Sequence, residues 1–277
     1  MIEARARAGA LVLAGSRPGE PDTVAHEAGV PFKAFAPVAG RPMVERVLEV
    51  LLGHPAIDSV ELALPGAATP ELHAARLARW LERGSLRRVK AASSPARTVA
   101  EALGRARDGR RLLVTTADHA LLSIAVLDQF LSRCGSPDVD VFVGFVPLEL
   151  VKAQYPNTKR TSLKFRDGRF KSCNLFLLRN GPGPASLLSY WLRLEALRKQ
   201  PWRMALAIGP AALLAYGLRL RSLGATLDGI GKRTGTRIAA AMLDAPEAAI
   251  DVDSPQDLRF ADRLLRAADR HRRQGTE

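Results

Sequence analysis

The sequence predicts an α/β layered fold built on a largely parallel sheet, and three observations lead there. Short β-rich runs alternate with segments of helical spacing along most of the chain. The first run, Ala8–Ala14, is continuously apolar, as a strand covered on both faces must be. At 277 residues and 47% hydrophobic content, the chain can also bury a substantial core.

After the first strand a polar loop extends from Gly15 to Pro31. Pro42–Leu52 then carries Met43, Val44, Val47, Leu48 and Leu51 at helical spacing. Asp58–Leu64 reads as a strand ending at Pro65-Gly66. Glu71–Arg83 reads as one Arg-rich amphipathic helix, Arg87–Ala92 as a strand and Thr98–Ala106 as a helix. Arg111–Thr116 is a strongly apolar strand that stops at Ala117-Asp118-His119, and Ile124–Ser132 is the next helix. Val139–Val146 alternates as a strand does, and Pro147 suits the first turn of a helix reaching about Tyr155. Ser162–Arg166 and Arg169–Leu178 flank Asp167-Gly168, a hairpin signal. Beyond the breaker at 181–184, Ala185 to about Leu223 is helical in pattern. Thr236–Leu243 and Ala248–Val252 read as short strands, and Pro255–Arg270 as a closing helix. With no internal repeat or low-complexity linker, residues 1–277 read as one domain, with an inserted or appended hairpin and helical segment at about 147–235.

Bulk properties narrow the function. Lys and Arg number 41 against 28 Asp and Glu, a net charge of +13 that favours anionic partners, although an Arg-rich composition alone produces the same excess. Aromatics are only 5%, with no stacking motif of the kind that reads RNA or single strands, which argues against nucleic acid. Cys134 and Cys173 lack metal-site spacing and read as core residues of a reducing compartment. The apolar run after Arg5 and Arg7 ends without a cleavage pattern. The longest apolar stretch, Met204–Leu218, is interrupted by Gly209-Pro210 and falls short of the roughly 20 residues a spanning helix needs. A cytoplasmic protein is expected.

Four constellations could carry chemistry. The first is the strand end Leu13-Ala14-Gly15-Ser16-Arg17, with Gly19 and then Lys33 across the loop. A glycine past a strand lets backbone amides approach a phosphate chain, and Arg17 and Lys33 could neutralise charge there. The spacing fits neither a dinucleotide fingerprint nor a P-loop. The second is Asp118 at the carboxyl end of an apolar strand, where α/β sheets place ligands and where a carboxylate can hold Mg²⁺; the rival reading is a helix cap. The third is Asp251-Val-Asp253-Ser-Pro-Gln-Asp257, whose first two acids alternate on a strand and so point to one side. Ser254 and Asp257 fit a helix start with a capping box. The fourth is Ser93-Ser-Pro-Ala-Arg-Thr98, small hydroxyls suited to a base or ribose, or to N-capping.

Taken in order, these segments resemble the MobA-like nucleoside-triphosphate transferase family. Its relatives include molybdenum cofactor guanylyltransferases, methylerythritol-phosphate cytidylyltransferase and sugar-nucleotide pyrophosphorylases. The most specific match is Phe32-Lys33-Ala-Phe-Ala-Pro37-Val-Ala-Gly40-Arg-Pro42-Met43 against the family's Lys followed by Pro-Val-x-Gly-x-Pro-Met. The resemblance implies a three-layer α/β/α Rossmann-like GT-A fold with a mostly parallel mixed sheet. It makes Leu13, Ala14, Gly15, Ser16 and Arg17 the triphosphate loop, Lys33 a stabiliser of the α-phosphate, and Ser93 and Thr98 nucleoside contacts. Asp118, with Asp251 or Asp253, would be the Mg²⁺ ligands. The implied reaction joins a nucleoside monophosphate to a phosphorylated acceptor and releases pyrophosphate. Ser16 in place of the family's second glycine, and Ala120 in place of its proline, are departures from the pattern.

The second half of such folds holds the acceptor. Lys159 and Lys164 beside the hairpin and Asn174 on its second strand are the candidate acceptor ligands; a solvated basic edge is the plainer reading. The acceptor would be a phosphorylated small molecule or a lipid-linked one. Three roles suit the Leu- and Arg-rich 185–223 segment: packing on the sheet, packing on a second copy in a homodimer, and lying on a membrane surface. The rival functions are a GT-A glycosyltransferase using a nucleotide-sugar and a non-catalytic nucleotide-binding relative.

Overall fold

The computed structural model describes residues 7–16, 22–156, 158, 161–197, 200, 203, 207 and 209–274. Within them the chain forms two compact units. The first comprises Met1–Pro95, Val114–Leu127 and Ile250–Glu277, and the second comprises Ala96–Leu113 and Asp128–Ala249.

In the first unit, β1 (Ala8–Leu13) pairs in parallel with β4 (Ile57–Leu64), and β4 pairs in parallel with β5 (Arg87–Lys90). The last residues of β6 (Arg111–Thr116) lie on the other side of β1. β1 and β6 are buried almost throughout, which is why their sequences run apolar instead of alternating. Helix α2 (Met43–Gly53) follows Pro42 and packs Met43, Val44, Val47, Leu48 and Leu51 fully out of solvent. Each such side chain contributes about 1.5–3 kcal/mol of transfer free energy.

Four details differ from expectation. The loop after β1 contains a short helix, α1 (Thr23–Glu27), because the Asp22 carboxylate accepts the Val24 and Ala25 N–H groups. Pro37–Val38 (β2) and Arg41–Pro42 (β3) form a two-residue hairpin whose turn, Ala39-Gly40, has both φ angles positive, at 46° and 74°. The region 71–83 is two helices, α3 (Pro70–His73) and α4 (Ala75–Glu82), broken at Ala74. There the buried Glu45 carboxylate of α2 accepts the Arg76 and Leu77 N–H groups at 2.8 and 3.1 Å, replacing the preceding turn as their acceptor. Finally, 248–252 is not a strand. Pro246–Ala249 is a 3₁₀ turn, and the chain then runs without ladder pairing to α11 (Pro255–Gln274).

In the second unit, β9 (Gly168–Arg179) lies beside the first residues of β6 and pairs antiparallel with β7 (Val141–Pro147) and β8 (Leu163–Phe165). β10 (Ile238–Met242) pairs in parallel with β7. The helices are α5 (Pro95–Arg105), α6 (Ile124–Arg133, shared at its start with the first unit), α7 (Leu148–Gln154), α8 (Pro182–Ala196), α9 (Pro210–Gly217) and α10 (Leu223–Thr234). α10 was not expected from the sequence, although its ends carry the signals. Ser222 caps the Ala225 N–H, and Gly235 takes the left-handed conformation at φ 62°. Cys134 and Cys173 are buried, as expected of core residues. The α/β class and the mixed, mostly parallel sheet flanked by helices are therefore as the sequence predicts. No helix among the described residues is long and apolar enough to cross a membrane.

Candidate active site

The predicted residues that come together lie in the first unit, where β1 and β6 end side by side. Adjacent strand ends are held in step by Ala117 N–H donating to Leu13 C=O (2.9 Å) and Ala14 N–H donating to Ala63 C=O (3.0 Å). The chain leaves β6 into Ala117-Asp118, and the Asp118 carbonyl accepts the Val252 N–H at 3.1 Å. This bond draws the approach to α11 against the β6 turn, and it places Asp253 near Asp118.

Lys33 bridges the two acids. Its ammonium donates to Asp118 Oδ2 at 2.6 Å and to Asp253 Oδ1 at 3.3 Å. Burial pulls the Lys33 pKa down, but the charges and hydrogen bonds of Asp118 and Asp253 outweigh it and hold the amine above its ordinary value. Lys33 sits in a single 3₁₀ turn, Lys33–Phe35, seated by the fully buried Phe35. Phe35 in turn stacks on His73, with ring centroids 5.5 Å apart.

Neighbouring groups fix the Asp118 carboxylate and the Asp253 backbone. Thr116 Oγ1 donates to Asp118 Oδ1 at 2.5 Å, leaving Oδ2 for the ammonium. The Asp257 carboxylate accepts the Asp253 N–H at 3.3 Å and the Ser254 hydroxyl at 2.7 Å, and Ser254 Oγ accepts the Asp257 N–H. That is the expected capping box, and it also anchors Asp253. Thr116 carried no signal beyond a short polar side chain at a strand end.

Other predicted residues are placed differently. Asp251 and Asp253 do not share a side, since 251–253 is not a strand. Asp251 is buried at 7% exposure, whereas the Asp253 side chain is 65% exposed. Gly15 and Ser16 are exposed just past β1, Ala14 is buried and Leu13 half-buried. A Cβ at Gly15 would meet only Ala91 Cβ, at an ordinary 3.5 Å, and its backbone is not left-handed. Neither packing nor conformation therefore requires a glycine there. Ser93 is exposed before α5, whereas Thr98 is buried within α5, since that helix starts three residues before the expected Thr98. Lys164 is exposed on β8. Asn174 is half-buried at a bulge of β9, in the left-handed region at φ 51°. His119 is buried, with Nδ1 3.5 Å from Thr115 Oγ1. Arg17 and Lys159 lie outside the described residues.

Comparison with known proteins identifies the family. The MobA-like NTP transferase domain matches residues 10–153, which include Gly15, Lys33 and Asp118. No curated protein matches the chain significantly. A hypothetical transferase from Thermus thermophilus is similar at 30% identity and TM-score 0.71, over 91% of this chain and 99% of that one. CMP:2-keto-3-deoxy-manno-octonic acid synthetase complexed with CTP is similar in fold at 13% identity and TM-score 0.55, over 95% and 99% of the two chains. The 2-C-methyl-D-erythritol 4-phosphate cytidylyltransferase of Thermus thermophilus is similar at 16% identity and TM-score 0.52, over 94% and 99%. The GT-A-like fold implied by the motifs is thus the one these structures share. With the family's domain covering more than half of the chain, the chain belongs to the MobA-like NTP transferase family.

Proposed function

We propose that this protein is a Mg²⁺-dependent nucleotidyltransferase that transfers a nucleoside monophosphate from a nucleoside triphosphate to a phosphorylated acceptor. The observation that carries the reading is the Lys33 ammonium held between Asp118 and Asp253. Two carboxylates and one ammonium leave this cluster with one net negative charge, which repels a polyphosphate unless a cation joins it. The donor set fits Mg²⁺, because both acids offer oxygen and converge on one point. A hard cation of this kind takes one or two carboxylates and completes its shell with water and phosphate oxygens. No group of three or more His, Cys, Asp or Glu suited to a metal occurs among the described residues.

Asp118 and Asp253 would hold the ion, which when bound neutralises charge on the phosphate oxygens. With its carboxylates so engaged, the Lys33 ammonium turns to the α-phosphate, whose oxygens gain charge in the transition state. Gly15, which the chain does not need for itself, leaves its backbone open to close approach by the triphosphate. An oxygen of the acceptor phosphate bonds to the α-phosphorus as the bond to the bridging oxygen breaks, and pyrophosphate leaves with the electron pair. An ionised phosphate needs no general base, so positioning and charge neutralisation carry the reaction. Lys159, Lys164 and Asn174 remain the candidate acceptor ligands on the resemblance alone.

The test is a thermal-shift panel of the four NTPs with and without Mg²⁺, with CTP and GTP first, followed by pyrophosphate release against phosphorylated acceptors. One NTP should stabilise the protein only with Mg²⁺, by about 2.7 kcal/mol at a hundredfold excess over its Kd. Asp118→Asn should abolish pyrophosphate release in a folded protein. Stabilisation by a nucleotide-sugar alone would assign a glycosyltransferase instead, and no response to any NTP would sink the reading.

A further inference from the structure

We propose that α9, the turn after it and the β8–β9 hairpin form a surface that docks on an anionic lipid bilayer. Eight large apolar side chains are exposed among the described residues, and five of them belong to this one place. Leu163, Leu214, Tyr216, Leu218 and Leu220 are between 39% and 63% exposed. The segments that carry them are joined. The Tyr216 ring meets Phe165 edge-on at 5.7 Å, the Lys164 N–H donates to Tyr216 Oη at 3.5 Å, and the Arg166 N–H donates to the Arg221 carbonyl at 3.0 Å. α9 has no charged residue at all, the composition of a helix that is normally buried, yet its Leu214 and Tyr216 face solvent.

The charge around this patch is predominantly positive. Lys164, Arg166, Arg219 and Arg221 are exposed beside it or within the segments that carry it. From Gln200 to Leu227 the sequence holds Arg203, Arg219 and Arg221 and no Asp or Glu. The hairpin's one acid, Asp167, is engaged by the Leu223 N–H at 3.0 Å. Apolar side chains rimmed by cations match the interface of an anionic bilayer, where the chains enter the acyl boundary and the cations meet the headgroups. A second copy fits less well, since a two-fold contact would set the same cations against each other with little acid to offset them.

The turn after α9 offers a clean probe. Arg219 N–H donates to Tyr216 C=O (3.0 Å) and Leu220 N–H donates to Ala215 C=O (2.8 Å), the paired bonds of a Schellman ending. Its left-handed position, φ 54°, is held by Arg219 where glycine is favoured. Arg219→Gly therefore removes a charge while relieving the backbone, and it should not cost stability.

The experiment is flotation of the full chain with vesicles of phosphatidylglycerol and phosphatidylcholine, against phosphatidylcholine alone, at low and high salt. The protein should float with the anionic vesicles at low salt, and less so at high salt or without phosphatidylglycerol. Arg219→Gly should lower the partition about fivefold, which corresponds to about 1 kcal/mol for one basic residue near the surface. Leu218→Ser with Leu220→Ser should lower it by at least about tenfold. If that pair disturbs the fold by circular dichroism, Arg219→Gly alone decides. Absence of flotation with anionic vesicles overturns the proposal, as does unchanged flotation of the variants. So does a dimer in sedimentation that the leucine substitutions dissolve, which would assign the face to a second copy. None of these readouts depends on nucleotide turnover, so failure here leaves the proposed reaction standing.

Discussion

At the scale of single residues, the site is a small electrostatic balance set by position. Lys33 is partly withdrawn from water yet stays protonated, because Asp118 and Asp253 favour its charged form more than burial disfavours it. The sign follows for stability. A raised folded pKa gives a contribution fully present below 10.5, the ordinary lysine value, and lost as the pH rises through the raised folded one. Lys33→Met should therefore lower the melting temperature by a constant amount at neutral pH. The gap from wild type should narrow in strong alkali, and a pH series of melting curves reads this directly. The same variant should lower single-turnover pyrophosphate release by about 10²–10³-fold, as loss of one transition-state donor does. Lys33 and Asp118 were both legible as residues, one from its Pro-Val-x-Gly-x-Pro context and the other from its strand end. Their hydrogen bond was not, because 85 residues separate them and no local pattern records a contact that long.

Elements were legible where the pattern is local. β1, α2, β6 and the β8–β9 hairpin stand where periodicity and the Asp-Gly turn put them. The break at Ala74 was not legible, because its cause lies on another helix: Glu45 takes over two amides that one continuous helix would have kept to itself. This interaction predicts an unusual cost for a glutamate on a helix. Glu45→Ala should destabilise the protein by about 1.5–3 kcal/mol, since it removes a charged acceptor and orphans amides at a buried helix start. Glu45→Gln keeps an acceptor and should cost less; urea unfolding of the two variants distinguishes them, and equal losses would mean the cap contributes little. α11 shows local and distant control together, with Ser254 and Asp257 capping it by sequence while Asp262 reaches the Ala39 N–H at 2.8 Å.

Over the whole molecule, the described site residues Gly15, Lys33, Asp118 and Asp253 fall in one compact unit, although the chain enters that unit three separate times. Nucleotide with Mg²⁺ should accordingly slow hydrogen exchange most in peptides around 13–16, 33, 116–118 and 250–254. Protection confined to the second unit would contradict the proposed site. The net charge of +13 favours anions but by itself gives that attraction no location. Part of it now has one, on the apolar and basic face of α9 and the β8–β9 hairpin.

The sequence by itself determined the α/β class, the order of most elements, the family and the two residues at the centre of the candidate site. These rest on local periodicity, turn chemistry and motif spacing, which short stretches of chain encode completely. Only the tertiary structure decided which acid accompanies Asp118, and it chose Asp253 over the buried Asp251. It likewise revealed that Thr116 aims the Asp118 carboxylate and that Asp257 holds the Asp253 backbone. The physical reason is that a carboxylate's direction depends on hydrogen bonds from whatever packs beside it, and a strand pattern inferred for 248–252 cannot survive where the backbone finds no ladder to join.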